Sequence, residues 1–297
     1  MESKLLKADF LKLGEPLRDH TTFQVGGPCA YFFAPQREED FARVQDFVKE
    51  TGLPFYVLGK GSNILADDRG FAGVILSTQS LPQHMKIEKA QEGILLEADG
   101  GSSLEAVCAF AADHGCQGLE FACGIPGSIG GAVVMNAGAY GGEIQDVLYQ
   151  AKVLEADGLC HWAEAEALEL GYRKSNILSL GRIVLGVRFL LQEGKPKEIW
   201  ALMEELNQKR RDKQPLEYPS AGSTFKRPEG YFAGKLIDDA GLRGYRLGGA
   251  AVSSKHCGFI INENHATSRD IKDLIAHVQK QVFEKFGVEL ECEVRMI

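Results

Sequence analysis

The chain has 297 residues and no uninterrupted apolar run long enough to cross a bilayer as a helix, which takes about 20 apolar residues in succession. Charges break up the first residues, Met1-Glu2-Ser3-Lys4-Leu5-Leu6-Lys7-Ala8-Asp9, so no secretory leader is expected and the cytoplasm is the expected compartment. There is no C-x-x-C pair and no H-E-x-x-H, and the seven histidines are scattered. A structural or catalytic metal is therefore not expected. The seven cysteines are odd in number and widely spread; they read as reduced, mostly buried thiols and not as a disulfide framework. Positive charge is also scarce: 33 Lys and Arg stand against 41 Asp and Glu, for a net charge of −8. That excludes a broad nucleic-acid-binding face, although a few local cations can still hold a small anion. No G-x-S-x-G elbow is present, which weakens a hydrolase reading. Gly230-Tyr231-Phe232-Ala233-Gly234-Lys235-Leu236 is not a Walker A loop, because the spacing is wrong and no Ser or Thr follows the lysine.

What is present is the balance of a soluble globular protein, 44% apolar and 25% charged, with length for two or three domains. Apolar periodicity predicts a helix over about 38–50 on Phe41, Val44, Phe47 and Val48, stopped by Gly52 and Pro54. A second is predicted from Ser102, with Glu105 completing a capping box and Gly115 as the stop. A third is predicted over about 197–211 on Ile199, Leu202, Met203 and Leu206. A fourth starts near Ser268 on Ile271, Leu274, Ile275, Val278 and Val282, with Gly287 as its C′ residue. Strands are predicted at 54–58, 73–76, 94–98 and 183–189. The alternation over 288–296 predicts a half-buried strand, with Glu289, Glu291, Glu293 and Arg295 on its polar face. Residues 122–142 are too rich in Gly and Ala to fit either pattern and read as a loop that approaches something closely. Strand and helix signals mix throughout, without internal repeats. A domain boundary is expected just before the Pro- and Gly-bearing stretch 212–230.

Several segments could carry chemistry. Leu58-Gly59-Lys60-Gly61-Ser62-Asn63-Ile64-Leu65 places a G-x-G after a strand, a turn whose bare amides can meet a phosphate. It lacks the third glycine and following helix of a Rossmann fingerprint, and an ordinary glycine turn explains it as well. Residues 124–142 present few side chains and many main-chain N–H groups, with Ile, Val, Met and Pro at positions a linker would not need. Pro219-Ser220-Ala221-Gly222-Ser223-Thr224-Phe225 puts a hydroxyl on a turn, Gly171-Tyr172-Arg173-Lys174-Ser175 is a basic turn, and Glu293 sits in the terminal strand. Taken singly, these last three read as an ordinary turn serine, a solvated basic turn and a polar outer face.

Taken in order, these segments resemble the UDP-N-acetylenolpyruvoylglucosamine reductases, the MurB family. The resemblance runs through His20-Thr21-Thr22-Phe23-Gln24-Val25-Gly26-Gly27, the 59–65 turn, 124–142, Gly171-Tyr172-Arg173-Lys174-Ser175 and Lys213-Gln214-Pro215. It continues through Ala221-Gly222-Ser223-Thr224-Phe225, residues 234–242, Ser254-Lys255-His256-Cys257-Gly258-Phe259 and Glu293-Val294-Arg295. It implies an α+β fold: a two-lobed FAD-binding domain of the vanillyl-alcohol-oxidase type, with lobes 1–75 and 76–196, followed by a substrate-binding α+β domain, 197–297. It implies FAD, held non-covalently by Gly59, Lys60, Gly61, Ser62, Asn63, Ile64, Gly124, Ile125, Pro126, Gly127, Ser128, Gly130 and Gly131. It implies NADPH as hydride donor and the enolpyruvyl ether of UDP-N-acetylglucosamine as substrate, reduced to UDP-N-acetylmuramate for peptidoglycan precursors. Hydride would pass from reduced flavin N5 to C3 and a proton from Ser223 to C2, with Arg173 and Glu293 stabilising the developing charge. Glu293 can help only with a proton, so burial is expected to raise its pKa. Tyr172, Lys213 and Lys226 are the implied substrate contacts. A monomer is expected, with neither nucleic acid nor membrane as partner. The short stretch 173–188, and the four residues after Glu293, match the family's shorter subtype, which lacks a tyrosine-bearing loop. The rival readings are a flavin oxidase of the same cofactor fold and a non-catalytic flavin or sugar-nucleotide binder; neither requires Arg173, Ser223 and Glu293 together.

Overall fold

The computed structural model describes residues 5–297, and the chain gathers into two compact units. The first comprises residues up to Leu13, Tyr31–Lys60 and Gly73–Lys209; the second comprises Gly14–Ala30, Gly61–Ala72 and Arg210–Ile297.

The first unit is built on an antiparallel sheet with strands in the order Cys160–Glu164, Leu148–Leu154, Ile183–Glu193, Gly93–Asp99, Met85–Ala90. Its central strand, Ile183–Glu193, is near-continuously apolar because side chains on both of its faces are mostly buried. The helix Leu104–Asp113 packs Leu104, Val107, Cys108 and Ala111 into the core beside that sheet. A parallel pair, Phe55–Leu58 with Val74 to Ser77, is backed by the helix Glu38–Thr51. Phe41, Val44 and Phe47 of that helix are buried with Phe33, Val74 and Leu76, and the helix ends at Gly52 as the sequence predicts.

The second unit packs the helix Ser268–Phe286 on a small antiparallel sheet, Arg246–Leu247, Ala250–Val252 and Ile260–Asn262. All five apolar positions read from its periodicity, Ile271, Leu274, Ile275, Val278 and Val282, are buried. Thr267 caps its start by accepting from the Asp270 N–H, and Gly287 closes it in the left-handed conformation. Asp68 reinforces the same end, accepting from both the N–H and the hydroxyl of Ser268 at 2.7 and 2.8 Å.

The structure corrects the sequence reading in several places. The helix Leu104–Asp113 is capped by Ser103, whose Oγ accepts from the Ala106 N–H. Ser102 is wholly buried, and its main chain is taken up by Asp99 and Ile129. The last turn closes at His114, before Gly115. In the helix Pro196–Lys213, Leu202 is 42% exposed while Ile199, Met203 and Leu206 are buried, so the apolar stripe is narrower than the composition suggested. Residues 122–142 contain the short helix Ile129–Val134, capped by Ser128; burial of Ile129, Ala132 and Val133 overrides the poor propensity of its glycines. The helix Ala233–Asp239 has no periodicity long enough to be read. The terminal strand is reduced to Arg295–Met296, parallel to Ile64–Leu65. Alternation holds nonetheless, with Leu290 and Val294 buried and Glu289 and Glu291 exposed. It reports which side faces the core, whereas a strand also needs a backbone partner, and upstream this segment has only an isolated bridge between Phe225 and Cys292. Met296, expected inside, is 47% exposed.

Candidate functional site

Arg173 lies in the first unit, on a turn where its own φ is +55°, an uncommon conformation for a residue with a β-carbon. Its guanidinium donates to the main-chain oxygens of Gly138 (Nη2, 3.1 Å) and Asn136 (Nη1, 3.5 Å) and lies 5.1 Å from the ring centroid of Tyr172. Ser175 donates to Val134 O at 2.8 Å, which ties the same turn to the glycine-rich segment.

The sequence reading assigned no role to Asn136, yet it organises this region. It is fully buried at φ +40°. Its Nδ2 donates to Glu143 Oε2 at 2.8 Å and to Gly171 O at 3.1 Å, and its Oδ1 accepts from the Gln145 N–H at 2.9 Å. A polar residue inside an otherwise apolar and glycine-rich run was the available signal, because Asn tolerates the left-handed region better than other side chains do.

The other candidates of the first unit are Gly59, Lys60 and residues 124–131. A β-carbon on Gly59 would stand 2.3 Å from Ser128 Oγ, so the bare backbone there rests directly on the cap of the short helix. Within the segment, the N–H groups of Ile129, Gly130 and Gly131 are spent on Ser102 O, Gly100 O and Ser128 Oγ. Among the described residues, those of Gly124, Gly127 and Ser128 meet no acceptor in the protein, and neither does the buried hydroxyl of Ser102. Pro126, without an N–H, is exposed between them. Such unmatched donors beside bare backbone fit an anionic, flat cofactor.

In the second unit, Gly61 has φ +65°, and a β-carbon there would meet His20 O at 2.0 Å. The position admits only glycine. The N–H groups of Lys60, in the first unit, and of Gly61 and Ser62 in the second also lack an acceptor among the described residues. Asn63 donates from Nδ2 to Glu293 O at 3.1 Å and accepts at its own carbonyl from the Arg295 N–H at 3.0 Å. Ile64 is buried and pairs with Arg295.

In the second unit the residue after Ser223 is joined to Glu293 by a main-chain bond. Thr224 is fully buried; its carbonyl accepts from the Glu293 N–H at 2.8 Å, and Lys226 N–H donates to Glu291 O at 2.9 Å. Ser223 is exposed and Glu293 is half-buried, unlike the exposed Glu289 and Glu291. The ammonium of Lys226 is paired with Glu291. Lys213 is exposed at the end of its helix. Burial, followed by the charges of Arg243 and Lys213, holds the His256 imidazole below its usual pKa. Arg173 and Tyr172 belong to the first unit, whereas Ser223, Glu293, Lys213 and Lys226 belong to the second.

Comparison with known proteins identifies the class. A family model described as an FAD binding domain matches residues 29–164, and one described as the C-terminal domain of UDP-N-acetylenolpyruvoylglucosamine reductase matches residues 214–297, which lie wholly in the second unit. An FAD-binding domain joined to this α+β partner defines a flavin-dependent oxidoreductase. The UDP-N-acetylenolpyruvoylglucosamine reductase of Lachnoclostridium phytofermentans is 50% identical over 293 residues, covering 99% of this chain and 94% of that protein. That of Clostridium botulinum strain Eklund 17B is 47% identical over 295 residues, covering 99% and 95%. The crystal structure of the Thermus caldophilus enzyme superposes with a TM-score of 0.80 at 36% identity, covering 96% of this chain and 97% of that one. The chain belongs to the UDP-N-acetylenolpyruvoylglucosamine reductase (MurB) family.

Proposed function

We propose that this chain is the cytoplasmic, NADPH-dependent reductase that converts the enolpyruvyl ether of UDP-N-acetylglucosamine to UDP-N-acetylmuramate. The observation that carries the reading is the pairing of residues 224–226 with 291–293, which joins the segment next to Ser223 to the main chain of the half-buried Glu293 in a chain that is 50% identical to a reductase of that name. FAD, when bound, supplies transfer of a hydride taken from NADPH to C3 of the enolpyruvyl double bond. Gly59, Lys60, Gly61, Ser62, Asn63 and Ile64, with Gly124, Ile125, Pro126, Gly127, Ser128, Gly130 and Gly131, are the residues that would hold it.

The chain's own side chains then have defined tasks. Negative charge develops on C2 and its carboxylate as C3 is reduced, and preorganised donors aimed at that charge lower the barrier. Arg173 offers a permanently charged planar fork, held to main-chain carbonyls and so limited in its freedom to turn away. Glu293 serves in its protonated form as a second donor. Ser223 delivers its proton to C2, and a neighbouring lysine, Lys213 or Lys226, stabilises the alkoxide left behind. Tyr172, Lys213 and Lys226 contact the substrate. The test is Ser223→Ala. Reduction of the flavin by NADPH should continue at the parent rate, while reduction of the sugar falls by about 10²–10⁴-fold, the usual worth of a general acid. Sugar reduction at the parent rate in this variant would remove Ser223 from the mechanism.

A further inference from the structure

Thr224 has no exposed surface, and all of its polar groups are engaged within the second unit. Its N–H donates to Gly258 O at 2.8 Å, its Oγ1 accepts from the Ile260 N–H at 3.0 Å, and its carbonyl accepts from the Glu293 N–H at 2.8 Å. One buried residue thus fixes the segment carrying Ser223 on one side and the Glu293 main chain on the other.

The acceptor of the Thr224 N–H belongs to Gly258, and Gly258 is itself held. Its N–H donates to Nδ1 of His256 at 3.1 Å. A ring nitrogen accepts a hydrogen bond only when it carries no proton, so this bond requires a neutral imidazole with its hydrogen on Nε2. The ring has little freedom to find another arrangement. Phe259 meets it edge-on with centroids 5.0 Å apart. A β-carbon on Gly258 would be 3.0 Å from Cε1, and one on Gly234, in the helix Ala233–Asp239, would be 3.4 Å from the same atom. Ser253 Oγ anchors the loop by accepting from the N–H groups of Lys255 and His256 at 3.1 and 3.2 Å.

The charged groups that act on the ring are Arg243, ion-paired with Asp238 at 2.6 Å, and Lys213; Lys255, next in sequence, is 3.6 Å from Glu217, and Lys235 on the neighbouring helix is 2.8 Å from Asp239. Burial most of all, and then Arg243 and Lys213, oppose a positive imidazole and outweigh a hydrogen bond to the His256 main chain that favours it, while the Cys257 thiol beside it is pushed up by burial and stays neutral.

We propose that His256 is a positioning residue for the proton-transfer step: as a neutral acceptor it holds Gly258, through Gly258 it holds Thr224, and through Thr224 it keeps Ser223 and Glu293 in register. This rests on the assignment of Ser223 as proton donor. Protonation places a hydrogen on Nδ1, turns an acceptor toward a donor, and releases the clamp. Reduction of the sugar therefore has an acid limb that reduction of the flavin by NADPH lacks: because the imidazole is held below its ordinary value of about 6.5, sugar reduction is still full there and is lost only as pH falls further.

Two measurements on the flavin-loaded enzyme test this. The first compares the pH profile of each half-reaction in the parent and in His256→Asn, whose amide oxygen can accept from the Gly258 N–H but does not titrate, and in His256→Phe, which cannot accept. The asparagine variant should keep sugar reduction and lose the acid limb; the phenylalanine variant should lose about 10²-fold at all pH values, the cost of misplacing a reacting group by about 1 Å. The second is the ¹⁵N spectrum of the imidazole, which needs no variant to fold: at neutral pH Nδ1 should be unprotonated and Nε2 should carry the hydrogen. An unchanged acid limb in His256→Asn, or a hydrogen on Nδ1, would overturn the role of His256 while Ser223→Ala remained inactive. Full sugar reduction by Ser223→Ala would instead overturn the donor assignment and this proposal with it.

Discussion

Replacing Asn136 with alanine removes a donor to the Glu143 carboxylate, a donor to Gly171 O and an acceptor for the Gln145 N–H, all at a position with no solvent contact. A hydrogen bond to a charged group is worth about 1.5–3 kcal/mol and one between neutral groups about 0.5–1.5 kcal/mol. Alanine must also adopt φ +40°, at a cost of about 1–2 kcal/mol. The expected loss is therefore about 3.5–8 kcal/mol, a large part of the stability of an ordinary domain. Asn136→Gly loses the same bonds without the strained φ and should be milder by about 1 kcal/mol. Asn136→Asp keeps the acceptor for Gln145 but sets a carboxylate against Glu143. The introduced carboxyl then has a raised pKa in the folded state, so its penalty is present at neutral pH and is relieved as pH falls through the carboxylate range. Urea unfolding at pH 7 and pH 5, followed by tryptophan fluorescence, reads all three variants. Because the Asn136 carbonyl also holds Arg173, the milder variants should raise KM for the sugar without changing flavin reduction by NADPH. An alanine variant within 1 kcal/mol of the parent, or a glycine variant no better than alanine, would refute the reasoning.

Gly61→Ala drives a β-carbon to 2.0 Å from His20 O at φ +65°; flavin affinity should fall by about 5–150-fold, as a strain of about 1–3 kcal/mol implies, and flavin occupancy after gel filtration checks this. Leu274→Ala opens a cavity in the core of the second unit, where Leu274 is fully buried, and should cost about 2–5 kcal/mol in urea unfolding. Hydrogen bonds from Arg69 and then Lys272 hold the Asp67 carboxyl below the usual carboxylate range. The stability this supplies is present above the unfolded pKa of about 4 and is lost as pH falls through the lower folded value. Lys272→Met should therefore flatten the drop in urea midpoint between pH 4 and pH 2, and an unchanged drop would discount the pair.

The legible part of the fold was what a periodic apolar stripe or a terminating glycine can signal. The helix Ser268–Phe286 could be read to its C′ residue because a long helix buries one face and exposes the other. The helices Ile129–Val134 and Ala233–Asp239 could not, since helices of six and seven residues are too short for a stripe and exist through tertiary burial. Gly61 was legible as a turn residue, but the His20 carbonyl that makes glycine obligatory there lies forty-one positions earlier in the chain. Ser223 and Glu293 were visible only as a turn hydroxyl and a strand carboxyl, and their roles came from family resemblance, whereas the main-chain bonds of Thr224 to Gly258 and Glu293 join segments far apart in the chain that no spacing rule encodes. Asn136 was hidden for the same reason, its partners lying at Glu143, Gln145 and Gly171.

Reduction of the sugar by this chain is best followed without oxygen. The purified, flavin-loaded protein is reduced with NADPH, freed of excess nucleotide, and mixed with the enolpyruvyl ether of UDP-N-acetylglucosamine while the flavin absorbance is followed. The oxidised band should return rapidly, with one sugar reduced per flavin. A flavin that stays reduced until air is admitted would contradict it and point to an oxidase.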